Sequence, residues 1–224
     1  MIKIPTGAVA MLPTRINNWA FETEPQPGLN GRRGYQPRGK ALGGSSAINA
    51  MVYVRGHRSD YDHWAALGNP GWGWDDVLPY FRLSEHNERI RNDLHGQGGP
   101  LGVSKPSAPL PICEAYFAAA GQLGIPTNPD LTSETPEGVG YYQLTQRNVR
   151  RSSAAMAYVS PNRHRKNLTV RLGAQVRRLI VEGGRATGVE LIDGTRLTAE
   201  QKSYVAALRE SGDHLLALVN DVLD

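Results

Sequence analysis

The sequence has few of the residues that crosslink or anchor proteins. It contains a single cysteine, Cys113, which excludes a disulfide within the chain and any metal site built from several cysteines. No apolar run approaches the roughly 20 residues that a membrane-spanning helix needs. Segment 1–16 contains Pro5 and Pro13 and lacks the continuous apolar core of a signal peptide. These absences predict a cytoplasmic protein with no membrane partner.

The chain also lacks a large excess of either charge. It has 25 Lys and Arg against 21 Asp and Glu, a net charge of +4 over 224 residues. Basic residues are densest between positions 147 and 166, but they are interrupted rather than gathered into a stripe. Binding to a phosphate backbone requires a concentrated basic surface. We therefore expect a solvated face there and no nucleic-acid partner.

Glycine, by contrast, is abundant, with 25 residues, and 15 prolines accompany it. Glycines and prolines in segments without periodic apolar residues predict extended surface chain over residues 1–38 and a loop over 96–111. Apolar residues at helical spacing predict three helices, over residues 60–67, 75–87 and 111–123. Gly124 is expected to end the last of these helices.

The C-terminal part of the sequence begins with a pattern typical of strands instead of helices. Two β-rich runs, 176–182 and 186–192, flank Gly183-Gly184 and predict a hairpin within a small antiparallel meander. Thr198 begins a capping box with Gln201, and the following apolar positions describe one face of a helix. An isolated amphipathic helix needs a partner for its apolar face. A homodimer formed through residues 199–224 is therefore one expectation.

One glycine-rich stretch has the composition of a ligand-binding surface. Gly43 and Gly44 allow a flat molecule to approach the backbone without hindrance from a Cβ atom, while Ser45, Ser46 and Asn49 add hydrogen-bonding groups. From these residues alone, two interpretations stay open. The stretch either faces a ring system or a pyrophosphate, or it is a tightly packed turn that leads into a core helix.

The wider motif carries a family resemblance. The order Gly39-Lys-Ala-Leu-Gly-Gly-Ser-Ser-Ala-Ile-Asn, followed by Tyr53, Gly56 and Asp62, resembles the first signature of the glucose-methanol-choline (GMC) oxidoreductases, the flavin-dependent alcohol oxidases and dehydrogenases. The resemblance extends over about residues 1–198. It implies a fold of α/β to α+β class, a partial FAD-binding domain with an incomplete Rossmann-type core, followed by the meander. Segment 199–224 instead resembles the second helix of a histidine kinase dimerisation domain.

The resemblance also implies a site, a cofactor and a substrate class. The cofactor is FAD, the substrate is a primary alcohol, and hydride passes from the alcohol carbon to the flavin. Ile48 stands where some family members attach flavin to a histidine, so the FAD is expected to be held noncovalently. The implied flavin contacts are Ala41, Leu42, Gly44, Ser45, Asn49, Ala50, Met51, Val52 and Val176.

No catalytic residue is assigned by the resemblance. The family's pyrophosphate loop, acidic ribose ligand and histidine base match no position here, and each of the six histidines is expected to be a surface or packing residue. The expectation is a truncated flavoenzyme. The alternative is a catalytically inactive chimeric product that self-associates through its C-terminal helix.

Overall fold

A computed structural model describes residues 1–193 and 196–198. The helix predicted over residues 199–224, its capping box and its dimer contact lie outside the described residues. The chain divides into two compact units, Met1–Ser160 and Pro161–Asp224. Within the described part, no helix combines the length and apolarity needed to cross a bilayer.

The first unit is built from short elements. Its α-helices are α1 (Gly7–Met11), α2 (Arg58–Ala66), α3 (Trp74–Ser84) and α4 (Pro111–Gln122). Single turns of 3₁₀-helix occupy Pro27–Leu29 and Gly44–Ala47, and a π-helical turn occupies Ala155–Val159. Pro111 stands at the first turn of α4, where its missing N–H costs no helical bond. Gly124, with φ +77°, follows the end of α4, which confirms the predicted stop.

The strands of the first unit form separate pairs. Three pairs are antiparallel: β1 (Phe21–Glu22) with β2 (Tyr35–Gln36), β3 (Val52–Tyr53) with β6 (Gln143–Leu144), and β7 (Gln146–Arg147) with β8 (Arg150–Arg151). The fourth pair, β4 (Glu85–Asn87) with β5 (Leu101–Val103), is parallel. The predicted helix over 75–87 is therefore three residues too long, and the predicted loop over 96–111 contains a strand. The helix ends early because Glu85–Asn87 pairs with Leu101–Val103 instead of continuing the helical hydrogen bonds, and the same pairing forms the strand within the predicted loop.

The N-terminal segment also differs from its prediction. Within the span predicted as extended surface chain, α1 forms, and Met11 is completely buried. Met11 packs with Ala47 and Ile48 in an apolar cluster that joins the two sequence regions. The run Gly-Ala-Val-Ala-Met lies between two prolines and is just long enough for one helical turn, so its periodicity is too short to detect.

The second unit contains the predicted meander. Strand β10 (Arg185–Leu191) pairs antiparallel with both β9 (Val176–Glu182) and β11 (Arg196–Thr198). Gly183 and Gly184 connect β9 to β10 with φ of +58° and +76°, as a two-residue hairpin turn requires. The predicted hairpin and its order in the sheet are confirmed.

Candidate functional site

Residues 43–52, here called the glycine–serine turn, contain both buried and exposed positions, and the exposed residues Ser45, Asn49 and Ala50 together with Gly44 are here called its open side. Gly43 has φ +94° and Gly44 has φ +55°, so both lie in the left-handed region. A Cβ on Gly43 would approach the backbone nitrogen of Ala155 to 3.0 Å, whereas a Cβ on Gly44 would meet no atom within 4 Å. Gly43 therefore permits close packing, and Gly44 lies beside open space.

Ser46 attaches the packed side of the turn to the chain that follows β8. Its hydroxyl donates a hydrogen bond to the carbonyl oxygen of Gly43 and accepts one from the backbone N–H of Ala154 at 2.9 Å. Ala47 and Ile48, the next two residues, are buried against Met11. The turn is thus fixed from two directions by groups distant in sequence.

Arg151 is the main polar support of the turn. Its side chain is buried, and its Nη1 donates to the carbonyl oxygen and to the side-chain Oδ1 of Asn49, both at 2.8 Å. Its Nε donates to the carbonyl of Ile2 at 3.1 Å. Burial lowers the pKa of Arg151 below its ordinary value. A single guanidinium therefore joins the N-terminal segment to the turn.

Two side chains on the open side carry unused hydrogen-bond donors. Asn49 Oδ1 is occupied by Arg151 and by the backbone N–H of Met51 at 3.1 Å, while its Nδ2 group donates to no described residue. The Ser45 hydroxyl accepts from the N–H of Gly39 at 3.1 Å, which leaves its own hydrogen available. Both side chains are exposed.

Met51 holds the end of the turn in an uncommon conformation. Its φ is +65°, which an L-residue with a long side chain rarely adopts. Its side chain is buried, and its carbonyl oxygen accepts from the N–H of Thr145 at 2.7 Å. Strain of this kind persists only where the surroundings fix the backbone. The turn is thus held in one conformation at both ends.

The structure gathers eight of the nine predicted contacts on the turn and the residues leading into it. They range from exposed to buried: Ser45, Asn49, Ala50 and Val52 are exposed, Ala41, Leu42 and Gly44 are half-buried, and Met51 is buried. Val176 lies in the second unit, where it opens β9 opposite Leu191 and is exposed.

A second polar cluster has no counterpart in the sequence analysis. His95 is buried between two carboxylates, with its Nδ1 at 2.8 Å from Glu85 Oε1 and its Nε2 at 3.0 Å from Asp130 Oδ2. Arg55 Nη2 lies 2.5 Å from the other oxygen of Glu85. Asn87 Nδ2 donates to Glu85 Oε1 at 2.8 Å. We call Arg55, Glu85, His95 and Asp130 the buried ionic network.

The network shifts the pKa values of its members. Burial opposes charging of His95, but its hydrogen bonds to Asp130 and Glu85 outweigh burial and raise the pKa of His95 to about 9. Burial likewise opposes the charged form of Asp130, yet hydrogen bonds from His95 and Thr132 lower its pKa to about 2. His95 is therefore an imidazolium at neutral pH. Its burial agrees with the expectation that each histidine is a surface or packing residue.

The open side of the turn fits a flat ring system with hydrogen-bond acceptors. It combines Gly44, where an added Cβ would meet no atom within 4 Å, the small side chain of Ala50 and free donors on Ser45 and Asn49. By contrast, the described residues contain no strand that leads through a glycine loop into a helix, the arrangement that binds a pyrophosphate. The residues present therefore suit the ring end of a flavin nucleotide.

Solved structures that share the fold include an FAD-dependent oxidoreductase. Pyridoxine 4-oxidase from Mesorbium loti has a TM-score of 0.80 and 35% identity, covering 88% of this chain and 40% of its own. An FAD-dependent oxidoreductase from Chaetomium thermophilum has a TM-score of 0.76 and 31% identity, covering 82% of this chain and 35% of its own.

The family follows from sequence comparison. The GMC oxidoreductase family model matches residues 5–211, and the chain belongs to this family, whose cofactor is FAD. The oxygen-dependent choline dehydrogenase of Rhizobium etli is 40% identical over 220 residues, which are 97% of this chain and 40% of that protein. Mitochondrial choline dehydrogenase of Mus musculus is 41% identical over 206 residues, 92% of this chain and 34% of that protein.

These matches confirm the predicted family and cofactor. The chain spans about 40% or less of the length of these curated relatives. The family match also includes residues 199–211, which the resemblance to a histidine kinase helix places in a separate segment.

Proposed function

We propose that this chain forms part of the flavin site of an FAD-dependent enzyme that oxidises a primary alcohol, with choline as the first candidate substrate. The observation that carries the proposal is the open side of the glycine–serine turn, where free donors and small side chains lie together. The relatives named choline dehydrogenase support the choice of substrate.

The residues of the turn would hold the cofactor without a covalent bond. Gly44 and Ala50 leave space for a planar ring, while the Ser45 hydroxyl and the Asn49 amide offer donors to its acceptor atoms. Ile48 is buried and apolar, so it can form no covalent link. FAD, when bound, supplies the acceptor for the hydride that leaves the alcohol carbon.

Oxidation of an alcohol also requires a base for the hydroxyl proton. His95 is not available for this role, because it is buried and already protonated between Glu85 and Asp130. Because the family's histidine base also matches no other position of the sequence, we propose that the base comes from outside the described residues. Without it, reduction of bound flavin by choline should be slow, since a general base contributes about 10²–10⁴-fold to such a step.

FAD binding to the purified chain tests the proposal. Titration should give saturable quenching of flavin fluorescence. Ala50→Phe should weaken binding by roughly tenfold or more, because a bulky ring would occupy the open side at an exposed position. Ala118→Phe, at an exposed position on α4, is the matched control and should bind FAD as the wild type does. Equal affinity of the wild type and Ala50→Phe would contradict the proposed site.

A further inference from the structure

We propose that Arg151 is a positioning residue for the flavin site, because it sets the orientation of the Asn49 amide and so directs the amide's two N–H donors toward the open side of the turn. The inference rests on the proposed function. It concerns a residue that touches the turn from its packed side.

The first observation is the environment of the guanidinium. Arg151 is 2% exposed, and all of its recorded acceptors are uncharged oxygens. They are the carbonyls of Ile2 at 3.1 Å, Pro5 at 3.3 Å, Ser46 at 3.3 Å and Asn49 at 2.8 Å, together with Asn49 Oδ1 at 2.8 Å. No described carboxylate forms an ion pair with Arg151. A buried cation without a counterion depends on these hydrogen bonds for its solvation.

The second observation is that the side chains of Arg151 and Asn49 carry different hydrogen-bonding groups. A guanidinium has five donors and no acceptor, whereas a side-chain amide has an acceptor end and a donor end. Arg151 can therefore bond only to the oxygen end of the Asn49 amide. The backbone N–H of Met51 approaches the same oxygen at 3.1 Å and selects the same orientation. The NH₂ end of Asn49 must then face away from Arg151.

The third observation concerns the Nδ2 group of Asn49 and its surroundings. Asn49 is exposed, and its Nδ2 has no acceptor among the residues that the structure describes. A polar side chain whose oxygen is fixed twice and whose nitrogen is unused is already oriented for a ligand with acceptor atoms. The carbonyl oxygens and ring nitrogens of a flavin are acceptors of this kind.

Arg151 also ties Ile2 and Pro5 to the turn, so a simple loss of stability has to be separated from a loss of positioning. Asn49→Asp separates them. An aspartate keeps an oxygen for Arg151 and for the N–H of Met51, but it has no donor to offer. It should unfold at a temperature no lower than that of the wild type, because the carboxylate also supplies a counterion to Arg151, while it weakens FAD binding by roughly tenfold or more, the factor for one lost hydrogen bond of ordinary strength.

Variants at Arg151 complete the experiment. Arg151→Gln replaces the guanidinium, which can only donate hydrogen bonds, with an amide that can donate or accept. The Asn49 amide is then free to flip, so that its oxygen and nitrogen exchange places. FAD affinity should fall roughly tenfold, and the backbone amides of the turn should exchange with deuterium faster in flavin-free protein. Arg151→Lys keeps a cationic donor and should restore part of both properties. Arg150→Gln, at the neighbouring exposed position in β8, is the matched control and should change neither.

The outcomes are distinguishable. Failure of the wild type to bind FAD would contradict the proposed function, while the exchange measurement would still test the bond between Arg151 and Asn49. Wild-type FAD affinity in Asn49→Asp would overturn the inference, and so would unchanged exchange and affinity in Arg151→Gln. If Arg151→Gln does not fold, Asn49→Asp and Arg151→Lys decide the question.

Discussion

The buried ionic network should make the stability of this chain depend on pH in the alkaline range. The pKa of His95 rises from the ordinary 6.5 to about 9 in the folded protein. The folded state therefore keeps a proton that the unfolded chain releases between these pH values. Its stabilising effect is complete below pH 6.5 and is lost as the pH rises through 9.

The size of the effect follows from the same values. At about 1.4 kcal/mol for each pH unit, the rise to about 9 corresponds to about 3 kcal/mol of stability. The side chains of His95 and Glu85 are completely shielded from solvent, so salt should screen this contribution little. A loss of about 3 kcal/mol is a large fraction of the stability of an ordinary domain.

Urea denaturation at a series of pH values measures the effect. The free energy of unfolding of the wild type should fall by about 3 kcal/mol between pH 6 and pH values above 9. His95→Gln should be less stable at pH 6 and should show a much flatter dependence. His63→Gln, at an exposed position on α2, should behave as the wild type. Equal free energies of unfolding of the wild type at pH 6 and at pH values above 9, with an NMR titration midpoint for His95 near 6.5, would refute the reasoning.

Denaturation of the same chain should give four further results. Val149 has φ +61° in the tight turn between β7 and β8, so Val149→Gly should raise the free energy of unfolding by about 1 kcal/mol. Gly39→Ala should lower it by about 3 kcal/mol because the added Cβ would overlap the carbonyl of Gly44, whereas Gly121→Ala, in open space on α4, should raise it by about 1 kcal/mol. Because the pKa of Asp130 is lowered from 3.8 to about 2, its contribution should be lost as the pH falls through 2, and Asp130→Asn should remove that dependence.

The glycine–serine turn was predictable because the residues that allow its backbone conformation are adjacent in the sequence. Adjacent glycines allow left-handed backbone, and the structure places Gly43 and Gly44 there. The hairpin at Gly183-Gly184 was predictable for the same reason. In each case the signal and the structure lie within a few consecutive residues.

The buried ionic network could not be predicted in this way. Its members are spread from Arg55 to Asp130, and charged residues of these types are usually exposed, so no local pattern marks them as buried. The strand Glu85–Asn87 continues a helical run, and only its pairing partner β5 distinguishes it from helix. The support that Arg151 gives to the turn likewise depends on residues about 100 positions earlier.

The hydrogen bond from Arg151 to Ile2 also has a consequence for the time course of folding. It joins residues 149 positions apart, so it can form only after the chain has been synthesised as far as Arg151. Contacts of such separation slow folding, because a long loop must be closed before the contact stabilises anything. Until then Ile2 is not held against the apolar cluster of Met11 and Ile48, which can associate with other unfolded chains. A change at Arg151 should therefore lower the yield on refolding at high protein concentration as well as the stability of the finished fold.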